Sequence, residues 1–224
     1  MLTEPDAVAE QEKLRQQIIT ENRFRQPIRY IAGADVEYDK DTNLIAGAIA
    51  VLHYDTLELA AVATHVMEVT FPYIPGLFSF REMPPLLAAW EKLTLKPDLI
   101  ICDGHGIAHP RRFGLASHLG TILDLPTIGC GKTRLYGTFA EPGARRGSIS
   151  PLLAEDDQQV IGNALRTQDN INPVFVSTGH KVSLDTATAI VLEMARLYRL
   201  PETTRIADHH GRLAMEAYKE KNPL

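Results

Sequence analysis

The chain has 224 residues, enough for one domain with a sizeable core or for two small ones, and its 45% hydrophobic content is ordinary for a globular protein. A formal net charge of −5 excludes a protein held to nucleic acid by bulk charge, so any such binding needs a local basic patch. No apolar run approaches the ~18 residues that span a bilayer, and the acidic, polar start (MLTEPD) is unlike a secretory signal. Both cysteines, Cys102 and Cys130, fall in apolar strand-like runs and read as reduced core residues. Together these features predict a cytoplasmic protein with no membrane attachment.

Taken in order, residues 6–24 set Val8, Leu14, Ile18 and Ile19 among charges and predict an amphipathic helix. Strand-like runs follow at 30–38, 44–54 and 57–69, joined by turn chemistry at 39–43 (DKDTN) and 55–56 (DT). Connections that short predict an antiparallel meander. Residues 71–77 (FPYIPGL) carry two prolines, which remove backbone donors, and so predict a rigid apolar loop. The next helix carries Leu86, Leu87, Trp90 and Leu93 on one face. Ser79 to Glu82 fits a capping box, but Pro84 and Pro85 suit a start near residue 84 better. Either way Glu82 lies at the helix entrance.

Leu99 to Cys102 (LIIC) reads as a strand buried on both faces, as in a helix-covered parallel sheet. Asp103 ends it, and a turn rich in glycine and histidine follows. Ligands of open α/β sheets sit at the carboxyl ends of strands, where a half-desolvated carboxylate needs a cation or a dense set of hydrogen bonds. A helix is expected over 112–123, a strand over 126–130, a largely irregular stretch over 136–158, and strands near 160–166 and 174–177. Ser183 opens a helix to about Tyr198, and Thr204 opens a last helix with Asp208 in its first turns. This order predicts a single α/β domain, a mixed sheet with helices on both faces.

Three carboxylates stand out. Asp35 lies mid-strand beside Ala34 and Val36, where a charge needs a partner unless that face is solvated. Glu82 could equally cap its helix, and Asp103 could cap its turn. Together they would supply the hard oxygen ligands that Mg²⁺ takes alongside water and phosphate. His105, His109 and His118 invite a zinc reading, but Gly104, Gly106 and Pro110 oppose the helix that a four-residue histidine spacing needs. Gly131-Lys132-Thr133 ends like a phosphate-binding loop, yet Pro126 stands where that motif requires glycine. Lys132 still follows a strand's carboxyl end, near the expected place of Asp103. Arg111, Arg112, Lys132, Arg134, Arg145 and Arg146 form the dense basic content available for phosphate contacts, or else simply solubilise the surface. The stretch from Pro72 to Pro75 is either a packed loop or a stiff wedge able to enter a duplex and take a base's place in the stack.

Four segments resemble the endonuclease V family of deoxyinosine-specific nucleases: residues 72–82 (PYIPGLFSFRE), 103–112 (DGHGIAHPRR), 31–36 (IAGADV) and 177–183 (STGHKVS). The likeness runs from about residue 10 to Asp208. It implies a ribonuclease H-like fold and cleavage of DNA at the second phosphodiester bond 3′ to a deaminated adenine, leaving 3′-hydroxyl and 5′-phosphate ends. It also implies dependence on Mg²⁺, for which Mn²⁺ can substitute. By this resemblance Asp35, Glu82 and Asp103 are metal-binding carboxylates, Asp208 a more variable fourth ligand, and Lys132 the catalytic lysine. Pro72, Tyr73, Ile74 and Pro75 match the strand-separating wedge. Gly76, Phe78, Gly104, His109 and Gly114 match the neighbourhood of the inosine pocket. A flipped hypoxanthine would be read on its Watson–Crick edge, where its O6 accepts a hydrogen bond and adenine's amine cannot. Glycines would let backbone N–H groups come that close, and a tight wall would refuse guanine's 2-amino group. A monomer acting on DNA is expected. The competing readings are an inosine-specific endoribonuclease, a nucleic-acid-binding module with a dead site, and a phosphatase built on the histidines.

Overall fold

The structure is a computed structural model and describes residues 3–222. In chain order its elements are α1 (Glu4–Arg15), β1 (Tyr30–Tyr38), β2 (Leu44–His53), β3 (Leu59–Glu68), α2 (Ser79–Lys92), β4 (Leu99–Cys102), α3 (Leu115–Leu123), β5 (Thr127–Gly131), β6 (Ile149–Leu153), β7 (Val160–Leu165), β8 (Val174–His180), α4 (Leu184–Met194) and α5 (Glu202–Lys221). The strands form one eight-stranded sheet in the order β3-β2-β1-β4-β5-β8-β7-β6. The expected meander is present, with β1 antiparallel to β2 and β2 to β3. β4 and β5 then run parallel to β1, while β8, β7 and β6 extend the sheet by antiparallel pairing.

All four residues of β4 are buried, as its unbroken apolar run requires. Alternate side chains go to opposite layers. Ala32, Ala34, Ile100 and Cys102 pack on one side against Met83 and Leu86 of α2 and Leu119 of α3. Ile31, Leu99 and Ile101 pack on the other against Ile190 and Met194 of α4. α5 lies on that second side over the meander, with Ala207 against Ala48 and Ala50. The approach of α5 is close because β1 has no side chain at Gly33, where a Cβ would land inside the Thr203 carbonyl. Cys102 and Cys130 are both buried free thiols. Among the described residues no helix is long and apolar enough to cross a membrane.

The structure departs from the sequence-based expectations in several places. α1 stops at Arg15 rather than near residue 24. The chain beyond it leaves helical bonding to pair with the loop after β8: Lys181 N–H donates to the Ile19 carbonyl at 2.7 Å and Arg23 N–H to the Lys181 carbonyl at 3.0 Å. α2 begins at Ser79, not near residue 84, and carries both prolines inside it. Pro84 and Pro85 cost only two intrahelical donors, those that would reach Phe80 and Arg81 one turn earlier. The capping box is absent, since Ser79 does not cap and its Oγ lies 3.0 Å from His118 Nδ1. α3 starts at Leu115 because Arg112, with φ 57°, breaks helical geometry before it. The stretch over 136–158 contains β6, whose alternating burial the glycine- and proline-rich context hid. α4 ends at Met194, four residues early.

Placing a methyl group at Gly33 forces α5 away from the sheet. Gly33→Ala is expected to cost ~1–3 kcal/mol or more, the range for overpacking a well-filled interior. Thermal or urea denaturation checks this.

Candidate active site

The parallel register of β1 and β4 pairs Ala34 with Cys102, and the ladder continues as Asp103 N–H donates to the Ala34 carbonyl at 2.9 Å. The next residues on the two strands are Asp35 and Asp103, so the carboxylates stand side by side on the face toward α5, one strand spacing (~4.8 Å) apart. Asp35 is buried, with the Asp103 carboxylate beside it. Burial, and then the charge of Asp103, push Asp35 up to about 8. Two like charges this close, with little water between them, cannot both ionise easily.

The remaining acids arrive from the helical layers. Glu82 sits in the first turn of α2, on the opposite side of the sheet, and curls round its carboxyl edge. Tyr38 Oη donates to Glu82 Oε1 at 3.3 Å. Burial pushes Glu82 up to about 7, and the Asp103 carboxylate adds to this. Lys132 follows β5 directly, and its ammonium is ion-paired with Asp103 Oδ2. Asp208, on α5, is ion-paired with Arg212 one turn on. Asp103, Lys132, Asp208 and Arg212 line one open cavity of about 510 Å³.

A second cavity of about 240 Å³ adjoins the first, and Asp103 and Glu82 form part of its wall. Gly76, Phe78, Gly104, His109 and Gly114 all line it, so these five positions come together although they span 39 residues of sequence. Its volume is below the ~300–1,000 Å³ of drug-sized pockets, which suits a single heterocycle. Gly76 has φ +78°, the left-handed conformation that favours glycine, and it ends the proline loop. That loop is anchored below by buried Phe71 and Leu77. Above them Pro72, Tyr73 and Pro75 are exposed and Ile74 is half-buried, with Tyr73 69% exposed. The Tyr73 ring leans on Phe78 with centroids 4.8 Å apart.

His109 is committed to structure. Its Nδ1 accepts the Arg111 backbone N–H at 3.1 Å, which leaves Nε2–H to donate to the Gly76 carbonyl at 3.1 Å. Burial, with Arg111 beside it, pushes His109 down to about 4, so the ring is neutral. His118 is held by Ser79 and boxed by Phe80 and Phe113. His105 lines the 240 Å³ cavity, and among the described residues the histidines form no group that could hold a zinc ion. Much of the expected basic patch is also used internally. Arg112 pairs with Asp156 and Asp157, and Arg146 donates to the Thr167 and Ala195 carbonyls. Lys132, ion-paired with Asp103, and Arg134, whose Nη1 donates to the Gly137 carbonyl at 2.9 Å, line the cavities.

The donor chemistry fits a hard divalent cation. Asp35 and Asp103 supply adjacent oxygens, Glu82 lies across the same opening, and a lysine ammonium already sits on Asp103. Mg²⁺ binds through one or two carboxylates plus water and phosphate rather than through a closed cage. Among the described residues, however, no group of three or more His, Cys, Asp or Glu side chains is arranged to hold a metal ion, so Glu82 and Asp208 would have to move to join the aspartate pair on one cation. Sequence reasoning overlooked Tyr38, Gln11 and Arg212. Their only signal was spacing, Tyr38 lying three residues past Asp35 and Gln11 four past Ala7.

The family model described as Endonuclease V matches residues 12–209. Endonuclease V of Trichormus variabilis is 48% identical over 207 residues, covering 92% of this chain and 93% of the relative. The crystal structure of endonuclease V from Streptomyces avermitilis superposes with a TM-score of 0.92 at 48% identity, covering 98% of this chain and 96% of that one. Ciona intestinalis endonuclease V, solved with a 24mer DNA containing an inosine followed by a ribo-adenosine, gives a TM-score of 0.83 at 26% identity over 96% of this chain and 98% of that one.

The raised acids set a pH dependence in chelator-treated protein. Asp35 keeps its proton in the fold up to about 8, while the unfolded chain releases it near the ordinary aspartate value of 3.8. Between those values the native state binds more protons than the unfolded one, so stability falls as pH rises. The melting temperature in EDTA is expected to drop between about pH 5 and pH 8. Asp35→Asn should flatten that slope and melt above the parent at the alkaline end. Parallel slopes would contradict the assignment.

Proposed function

The chain belongs to the endonuclease V family and is an endonuclease; from that premise we propose that it repairs DNA by recognising deoxyinosine. The cut falls at the second phosphodiester bond on the 3′ side and leaves 3′-hydroxyl and 5′-phosphate ends. The observation that carries this reading is the shared wall: Asp103 belongs both to the cavity sized for one base and to the cavity holding Lys132 and Asp208. A base seated in the 240 Å³ cavity brings the backbone downstream of it past the carboxylates.

Each part of the site has a role in this reading. Tyr73, flanked by Pro72 and Pro75, enters the stack and keeps the everted base from returning. The backbone around Gly76 and Gly104 reads the purine edge at close range, and hypoxanthine's O6 accepts where adenine's amine would meet donor against donor. Asp35, Glu82 and Asp103 would hold Mg²⁺, with Asp208 completing the set once it leaves Arg212. When bound, the ion supplies Lewis-acid stabilisation of phosphate charge and a more acidic water. Lys132, released from Asp103, neutralises the phosphate or orients the attacking water. The inosine followed by a ribo-adenosine in the Ciona relative's DNA favours a second reading, an inosine-specific endoribonuclease, and cleavage of matched DNA and RNA oligonucleotides separates the two.

A single-inosine duplex is expected to be nicked with Mg²⁺ and left intact with EDTA. Asp103→Ala should lose on the order of 10³-fold in rate, the scale of removing a positioned charged group, with binding partly retained. Unchanged cutting by that variant would refute the site. Tyr73→Ala should weaken binding of the inosine duplex by ~1–3 kcal/mol, the worth of an aromatic stacking contact, and a titration measures this directly.

A further inference from the structure

α1 lies on the outside of the molecule and buries only Ala7, Gln11 and Leu14. Ala7 packs with Phe71 and Leu77 beneath the proline loop. The middle position of this stripe is a glutamine only 1% exposed. A buried amide is costly unless its hydrogen bonds are made, and here they are. Gln11 Nε2 donates to the Gly76 carbonyl at 3.0 Å and to the Phe113 carbonyl at 3.2 Å, and Oε1 accepts from Arg111 Nε at 2.5 Å. Both amide protons and the carbonyl oxygen are engaged.

Those partners have a common address. Gly76 ends the loop on one side of the 240 Å³ cavity, and Phe113 precedes Gly114 on the other. Three donors converge on the Gly76 carbonyl: Gln11 Nε2, His109 Nε2 at 3.1 Å and Arg111 Nη2 at 2.7 Å. A carbonyl oxygen offers two lone pairs, so the three donors share it. Of the three donors, Gln11 alone also grips the Phe113 carbonyl, through the second proton of the same amide. An apolar side chain could fill its space but could not fix the separation of the two loops.

We propose that Gln11 is a positioning residue for base selection: it ties Gly76 to Phe113 and so fixes the gap into which the everted purine fits. The inference rests on the proposed recognition of inosine and adds what sets its selectivity. With the gap fixed, hypoxanthine is seated and a purine carrying an additional 2-amino group is refused. With the tie cut, His109 and Arg111 still hold the Gly76 carbonyl, but the link from it to Phe113 is gone and the gap between the two loops widens.

The test is equilibrium binding of the full chain, in EDTA so that nothing is cut, to three duplexes that differ only in carrying inosine, guanine or adenine at one position. Gln11→Met removes every bond of the amide. Gln11→Glu keeps the bond to Arg111 and loses both donors. Each is expected to lower the inosine-over-guanine preference about tenfold, a modest share of what ~1 Å of misplacement can cost, while adenine-duplex affinity stays within about twofold. Circular dichroism melts establish that the variants fold. A folded variant that keeps the parental preference, or that weakens on all three duplexes equally, overturns the proposal. So does failure of both variants to fold, which would assign Gln11 to stability alone. If the parent protein shows no preference for inosine, the proposed substrate itself is wrong, a result distinct from the others.

Discussion

The site depends on two aspartates that the sheet compels to be neighbours. Asp35 and Asp103 occupy the next rung of a parallel ladder whose lower rungs are buried alanine, isoleucine and cysteine. The register cannot slip to separate them, because a one-residue shift would turn each strand's apolar set to the wrong layer. Burial of Asp35, and then its repulsion by Asp103, are therefore built into the hydrophobic core and together raise the proton affinity of Asp35. A cation relieves it. Lys132 does so in part, and a divalent ion between the two acids would do so more fully.

Around that pair the rest of the fold acts as a delivery system. One helical layer brings Glu82 over the edge of the sheet, and the other brings Asp208. Each helix comes close because the strands beneath it carry alanine and glycine rather than larger residues. The proline loop and the turn after β4 then meet above the strand ends, with α1 as the strap that joins them. A chain of net acidic character thus keeps two basic groups, Lys132 and Arg134, on the cavity walls where a phosphate would pass. Arg112 and Arg146 hold loops in place instead.

Much of this was legible along the chain. β1 is read to the residue and the meander to within two residues at each end, because alternation and turn chemistry are local properties of a strand and its neighbours. The apolar run of β4 announces a buried strand ending in a carboxylate. Helix limits were less legible, since packing overrides local preference: α2 runs through two prolines because its apolar face is covered, and α1 stops early because the following backbone finds better partners near Lys181.

By itself the sequence determined the fold class, the carboxylates, the stiff proline loop and the family, because each is carried by residue types at short, fixed spacings. Only the tertiary structure decided which carboxylates are neighbours, which arginines hold loops, and that a glutamine on the first helix joins Gly76 to Phe113 beside the 240 Å³ cavity. The physical reason is range. Asp35 and Asp103 lie 68 residues apart, and Gln11 and Phe113 lie 102 apart. Contacts of that kind are fixed by sheet register and by the packing of whole layers, which no window of local sequence contains.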